Sequence, residues 1–456
     1  MSAGIVAALH GGTPRRRTGA ARLALGAAIA MSVASAEPAR AVALTLEQAE
    51  ARALAASPAA RAARLEVLAA RARTGQAYAR HLGEGDLVAA ASRYEGARIL
   101  RPITGPITPA AMAGVPYDRD QLRYGVAWQV PLFAGGALVL GDEAARLLER
   151  AAEDQAAHAL EEIRYEVRAA YRSALGVLHA LDAAAAYEEA LARDEESAQL
   201  EVRTEAWSAA DAAKVSFALA SARARRAALE ARRRDTMALL AALMGDEAMS
   251  DDALADVAPA LAPDRRSPAE LAAASERRRR DLAAAREASE SQSKRASGVR
   301  AGFSPQLAFA GNVLWYAGPS LARPIETYEL TLQLRIPILA DVGRAFAARE
   351  ADATAAQAAE RERAKRLEVR RQVVDALGRG DAARAALEAG TSQRALGAEV
   401  ARVEKLKLDA GTGKVEDYLA ARAQELEGET GYWQALYAVQ TANDYLALAT
   451  GAGETP

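Results

Sequence analysis

Cysteine is absent from all 456 residues, which excludes disulfide bridges, thiolate metal centres and cysteine nucleophiles. Aromatic residues make up only 5% of the chain, too few for a thick core built on rings. Neither sign of charge dominates: 58 Lys and Arg stand against 60 Asp and Glu, so no basic field for nucleic acid exists. Beyond the first 36 residues no run of about 18 apolar residues occurs, and no membrane-crossing helix is expected. Histidine is rare as well. His10, His81, His158 and His179 are scattered, lack metal-ligand spacing, and read as solvated helix-surface residues. Gly135-Gly136 lacks the lysine and further glycines of a phosphate loop. With no catalytic constellation, an enzyme is not expected, and neither is a cofactor or a metal.

What is present is alanine, charge and length. Charged residues reach 26%, a profile suited to long helices packed through small side chains. The N-terminus has the form of an export signal over 1–36: Arg15, Arg16, Arg17 and Arg22 precede an apolar stretch from Leu23 to Ala34, and Ala34-Ser35-Ala36 fits cleavage. Removing it takes away four Arg and no acid, so the net charge goes from −2 to −6.

Two stretches organise the remainder. In Gln121–Gly136, even positions carry Leu122, Tyr124, Val126, Trp128, Val130 and Leu132, while odd positions are polar or small. Such alternation is the period of a strand with one apolar face. The strand breaks at Pro131, and a helix follows Gly135 and Gly136. Glu329–Gly343 repeats the pattern with Leu330, Leu332, Leu334, Ile336 and Ile338, then Pro337 and Gly343. The two prolines lie 206 positions apart, an even number, so the apolar faces agree. At that offset the chain aligns without a gap from strand to final helix, ending in Gly245 and Gly451.

The expected organisation is therefore a first repeat over 37–248, a linker or equatorial segment over 249–267, a second repeat over 268–451 and a short tail over 452–456. Each repeat has helices, two strands and a long helical hairpin. A helix broken at Ser57-Pro58 comes first, with Thr45 and Gln48 as a capping box. A weak strand over Asp86–Tyr94 and a Pro/Gly-rich loop over Arg98–Asp118 follow. Helices are expected over Ala137–Val202, Asp211–Met244, Pro268–Ser297, Arg344–Asp409 and Lys414–Thr450, with a strand over Phe303–Tyr316. A helix of about 65 residues spans about 100 Å and needs neighbours along its length. Leu419, Leu426 and Trp433, seven apart, suggest a coiled-coil seam.

The duplicated strand–proline–helix junctions, the tip segments RTEAWSAADAAKVSFALASARA and DAGTGKVEDYLAARAQ, and the Leu-rich ends at Gly245 and Gly451 resemble the TolC-like outer membrane efflux protein family. The resemblance spans essentially all of the chain after residue 36. It implies an α+β membrane protein: long coiled-coil hairpins plus four transmembrane strands per chain, in a homotrimer whose shared β-barrel continues into an α-helical barrel. It also implies a passive exit duct in the bacterial outer membrane, partnered by a periplasmic adaptor and an inner-membrane pump, for efflux or type I secretion. Four strands cannot close a usable barrel alone, and the apolar even face would meet outer membrane lipid while the odd face met water. An exported periplasmic coiled-coil structural or adaptor protein without a pore is the competing reading.

Two departures from the family pattern stand out. The first tip has Ala206-Trp207 in place of a glycine, and His81–Gly85 lacks a proline. By resemblance, Asp417 falls on a periplasmic gate acid, with Glu416 beside it and Asp211 at the equivalent place of the first repeat; a second gate acid is Ala420 here. Asp417 reads equally well as a helix N-terminal acid that complements the dipole. The turns carrying Trp207 and Ser208, and Gly411, Gly413 and Lys414, are by resemblance the adaptor contacts; as sequence they are ordinary helical-hairpin loops.

Overall fold

The computed structural model describes residues 43–100, 102–103, 106–246, 253–256, 267–337 and 342–453. The expected signal segment, with His10, lies outside these residues, as does most of the linker.

Helix α1 (Leu46–Ala56) opens with the expected capping box: Thr45 Oγ1 accepts from the Gln48 N–H, and the Gln48 side chain accepts from the Thr45 N–H. Proline at the first position then starts α2 (Pro58–Ala79). Strand β1 (Glu84–Ile99) is longer than the sequence suggests, because pairing with β2 (Tyr117–Ala134) carries residues of weak strand propensity. The connecting loop contains a short helix, α3 (Pro109–Met112). Helix α4 (Ala137–Arg203) and α5 (Ala209–Met244) form the first hairpin. The helix expected over Pro268–Ser297 is broken at Arg279 into α6 (Pro268–Arg278) and α7 (Arg280–Ala301). Strands β3 (Gln306–Ala317) and β4 (Ile325–Arg335) lead to the second hairpin, α8 (Val342–Asp409) and α9 (Val415–Thr450).

Element lengths match in pairs. Helices α5 and α9 both have 36 residues and start 206 positions apart. Helices α1 and α6 both have 11, α2 and α7 both have 22, and each of these pairs starts 222 positions apart. The packing repeats too. Ala49 of α1 belongs to a core with Val167 and Ala170 of α4, and Leu271 of α6 to one with Val373 and Ala376 of α8.

The strands form one antiparallel sheet in the order β1-β2-β3-β4. Residues directly opposite in an antiparallel pair share a face. Leu87 faces Val126, Val126 faces Val313, and Val313 faces Tyr328. Likewise Val130, Phe309 and Leu332 lie in one row. The even residues of β2 and β4 and the odd residues of β1 and β3 thus make one continuous apolar face. Leu87, Tyr328, Leu330 and Leu332 on it are exposed. Trp128 lies over Gly311, where an added Cβ would come within 2.4 Å of the indole, and Tyr124 stacks on Trp315 at 5.9 Å.

Pro131 sits inside β2, at a register shift between Pro131 and Phe133, where a missing N–H is tolerated. Gly135 and Gly136 follow at φ 64° and 89° and turn the chain into α4. The second junction departs from the expectation. Pro337 lies beyond the end of β4, and Gly343 is already inside α8 rather than in the turn; residues 338–341 between them are outside the described set. At the 206 offset the glycine pair of the first junction falls on Asp341 and Val342.

The second hairpin packs closely through small residues. A Cβ on Gly428 of α9 would meet the Gln393 carbonyl oxygen of α8 at 2.9 Å. Along α9, Leu426 of the expected seam is buried, while Leu419 and Trp433 are half-buried against α4 and α5.

One buried ionic centre joins four helices. At the α6–α7 break Arg279 donates from Nε and Nη2 to both oxygens of Asp281, at 2.8 and 2.6 Å, and from Nη1 to Gln372 Oε1 and the Ala449 carbonyl. Lys365 Nζ lies 3.0 Å from Asp281, and His158 Nε2 lies 3.6 Å from it. His158 is buried, contrary to the surface reading, because α7 closes over it. Burial pushes the Asp281 carboxyl up, but the bond and charge of Arg279 outweigh it and hold the group well below the usual range.

Candidate functional site

The two hairpin tips share the same backbone geometry. In the first, the amides of Thr204, Glu205 and Ala206 bond to the carbonyls of Leu200, Val202 and Glu201. In the second, those of Ala410, Gly411 and Thr412 bond to Leu406, Leu408 and Lys407, every residue 206 positions later. The left-handed position of this turn is Gly411 at φ 71° in the second tip and Glu205 at φ 60° in the first. The missing glycine is therefore at Glu205, which carries a backbone strain that Gly411 avoids.

The N-caps differ. Ser208 Oγ accepts from the Asp211 N–H at 3.1 Å and donates to Asp211 Oδ2 at 2.7 Å. Lys414 caps α9 without a side-chain bond. Inside the tip, Trp207 packs with Ala198, Val215, Val415 and Leu408. It is half-buried and belongs largely to the core of the tip. Ser208, Gly411 and Lys414 are exposed, and Gly413 is half-buried.

The candidate acids separate into two groups. Lys214 Nζ lies 2.7 Å from Asp211 Oδ1 and 2.5 Å from Glu416 Oε1, a link from α5 to α9. The Lys214 bond, with help from Ser208, holds Asp211 below its ordinary value; Lys214 does the same to Glu416. Those two acids, Asp211 first, raise Lys214 in turn. Asp417 is not part of this link. It is exposed, and among the described residues it makes no side-chain hydrogen bond or ion pair. Lys214 was not singled out from the sequence. The signal for it existed: it occupies the place of Ala420 at the 206 offset, so one hairpin has a cation where the other has a methyl group.

Just behind the tip, Tyr418 donates to Asp194 Oδ2 at 2.6 Å, and Lys405 lies 3.5 Å from the other oxygen of Asp194 and 5.3 Å from the Tyr418 ring centre. Burial, then the bond to Asp194, pushes the Tyr418 hydroxyl far up. This network fixes α9 against α4 and α8. Between α5 and α9 runs a groove of about 650 Å³, lined by Lys214, Glu416, Leu419, Arg225 and Phe217. Phe217 is 75% exposed.

Among the described residues no helix is long and apolar enough to cross a membrane, and no group of three His, Asp or Glu is placed to hold a metal ion. The arrangement offers ion pairing, an exposed carboxylate and an apolar groove at the end of a long helical body.

The family model of outer membrane efflux proteins matches residues 271–452. No curated protein sequence matches the chain. Solved structures do. A membrane protein from Pseudomonas aeruginosa is 19% identical, with 89% of this chain and 90% of that one covered and a TM-score of 0.76. The CmeC outer membrane channel of Campylobacter jejuni is 15% identical, with 90% and 86% covered and a TM-score of 0.77. The outer membrane protein VceC of Vibrio cholerae is 16% identical, with 89% and 96% covered and a TM-score of 0.74. At such identities the structures establish a shared fold, and the family match covers the second part of the chain. Residues 271–452 thus match the outer membrane efflux protein family, and about nine-tenths of the chain shares the fold of solved outer membrane channels.

Proposed function

We propose that three copies of this chain form an exit duct through the outer membrane, fed from the periplasm by an adaptor and an inner-membrane pump. The observation that carries this is the sheet. It has a continuous apolar face, and among the described residues β1 and β4 are each paired on one side only. An apolar face in lipid requires a closed barrel, since open edges cannot be left unpaired in hydrocarbon. Four strands from each of three copies supply twelve, enough for an open lumen. The paired element lengths support reading each chain as two copies of one strand–strand–helix–helix unit.

The helical hairpins would then form the periplasmic conduit, and their tips its entrance. Asp417, exposed and unpaired among the described residues, is the gate acid of this reading; Asp211, Lys214 and Glu416 hold α5 and α9 together beside it. Ser208, Gly411 and Lys414 present the surface that meets the adaptor. Conduction, not catalysis, is the activity. Purified protein should run as a heat-sensitive trimer and give discrete conductance steps in planar bilayers. A soluble, non-conducting monomer would overturn the reading in favour of a periplasmic coiled-coil protein.

A further inference from the structure

About 36 Å from the tip along α4, at 1.5 Å per residue, His179 lies in a setting unlike the solvated surface its sequence suggests. Its ring is stacked on Trp433 of α9 at 3.8 Å and 7°. Its Nε2 is 3.1 Å from Tyr437 Oη, and the Tyr437 hydroxyl donates to Asp256 Oδ1 at 3.0 Å. A hydroxyl has one proton, and here it goes to Asp256. The lone pairs therefore face His179, and Nε2 must be the protonated nitrogen of the neutral ring. Asp256 Oδ2 is a further 3.8 Å from the same nitrogen.

Asp256 ends the segment 253–256, the described part of the connection between the two halves. The Leu44 N–H donates to the Ala253 carbonyl at 2.7 Å, and the Ala255 N–H to the Leu44 carbonyl at 2.9 Å. The buried Tyr171 hydroxyl lies 2.6 Å from the carbonyls of both Leu44 and Ala255. The segment is thus strapped across the helices, with Tyr171 holding its middle and Tyr437 with His179 holding its end.

We propose that His179 is an acid-tightened latch on this strap. Protonation places a positive charge on the ring that Asp256 can pair with only while the strap is docked, whereas the stacked Trp433 ring stays against His179 in either state. Imidazole is the side chain whose charge changes between about pH 5 and 8, and a cation over an indole face is attracted to it. The other charged groups around the ring do not cancel this. Asp182 of α4 lines the same groove and carries the sign opposite to an imidazolium. Arg394 of α8 opposes it and itself lies 5.6 Å from the Trp433 ring centre, but Arg394 is paired with Glu429 of α9, which also accepts from Trp433 Nε1 at 2.8 Å, and Arg422 and Glu425 of α9 in the same groove are paired with each other. A falling pH therefore clamps residues 253–256 onto α4 and α9. The latch rests on this local geometry and not on the exit-duct reading.

The absence of cysteine makes the test clean. A single nitroxide on Ala253→Cys, an exposed position, in the full-length protein in detergent micelles reports strap mobility. From pH 8 to 5.5 the ratio of immobile to mobile label should rise roughly two- to fivefold. The rise should vanish in His179→Gln and in Asp256→Asn, the latter an exposed side chain whose change leaves the core intact. Tryptophan emission should fall with pH in the parent and not in His179→Gln, since an imidazolium against the Trp433 ring quenches it. A label that ignores pH in the parent, or that titrates alike in either variant, overturns the latch.

Discussion

Glu205 and Gly411 occupy the same position of the same turn, at φ 60° and 71°, so exchanging their chemistry measures the strain directly. A non-glycine residue in the left-handed region costs about 1–2 kcal/mol. Glycine loses more backbone entropy on folding, which returns about 0.5–1 kcal/mol of that. Glu205→Gly should therefore stabilise the first tip by about 0.5–1 kcal/mol, and Gly411→Ala should destabilise the second by a similar amount or more. Nothing else stands in the way of the exchange, since a Cβ on Gly411 meets nothing within 4 Å. The tip frays separately from the 67-residue helix behind it, so global unfolding is the wrong readout and amide exchange the right one. The Ala206 N–H, bonded to the Glu201 carbonyl, and the Thr412 N–H, bonded to Lys407, report the two turns. Exchange at Ala206 should slow roughly two- to fivefold in Glu205→Gly, and exchange at Thr412 should quicken by at least as much in Gly411→Ala. Unchanged or faster exchange at Ala206 would refute the strain.

Three other outcomes follow from the packing and the charges. Leu271→Ala removes a fully buried side chain where α6 meets α8 and α9, and should cost about 2–5 kcal/mol in denaturant unfolding; a cost under 1 kcal/mol would mean that α6 is not anchored there. Asp281→Asn leaves Arg279 and Lys365 without their shared acid, and should cost about 3–5 kcal/mol. Because the folded Asp281 value is depressed, this stability is present above the ordinary carboxylate range and is lost as pH falls through the lower folded value, so the deficit of the variant should shrink in acid. The Asp211–Lys214–Glu416 link has the same sign, both acids being depressed by Lys214. Distances between spin labels on α5 and α9 should hold from pH 8 to about 5 and lengthen only below about 4; in Lys214→Met they should be long throughout, and loosening near neutral pH in the parent would count against the link.

Periodicity settled much of this protein in advance, because it is local. The alternation at Leu122–Leu132 and Leu330–Leu334 fixed two strands and their apolar face, and the uninterrupted helical patterns fixed α4, α5, α8 and α9 to within two or three residues at their ends. Thr45 with Gln48, Pro58, Gly245 and Gly451 act through bonds to near neighbours, so their roles were legible as well. The weaker strand β1 was underestimated, since its length comes from pairing with β2 and not from its own residues. The break at Arg279 was hidden for a like reason: it is held by Asp281, Gln372 and Ala449, two of them far along the chain.

The tertiary structure alone decided which charges meet. Lys214 and Glu416 are 202 positions apart, Tyr418 and Asp194 are 224 apart, and His179 and Tyr437 are 258 apart. No pattern along a chain encodes such contacts, since each depends on where two hairpins of nearly 100 Å come to lie side by side. Asp417, Glu416 and Asp211 were alike as letters. Folding divided them into two acids bound to Lys214 and one exposed acid. It also took His158 and His179, both read as surface histidines, and placed one against a buried Asp281 and the other against a tryptophan and a strap.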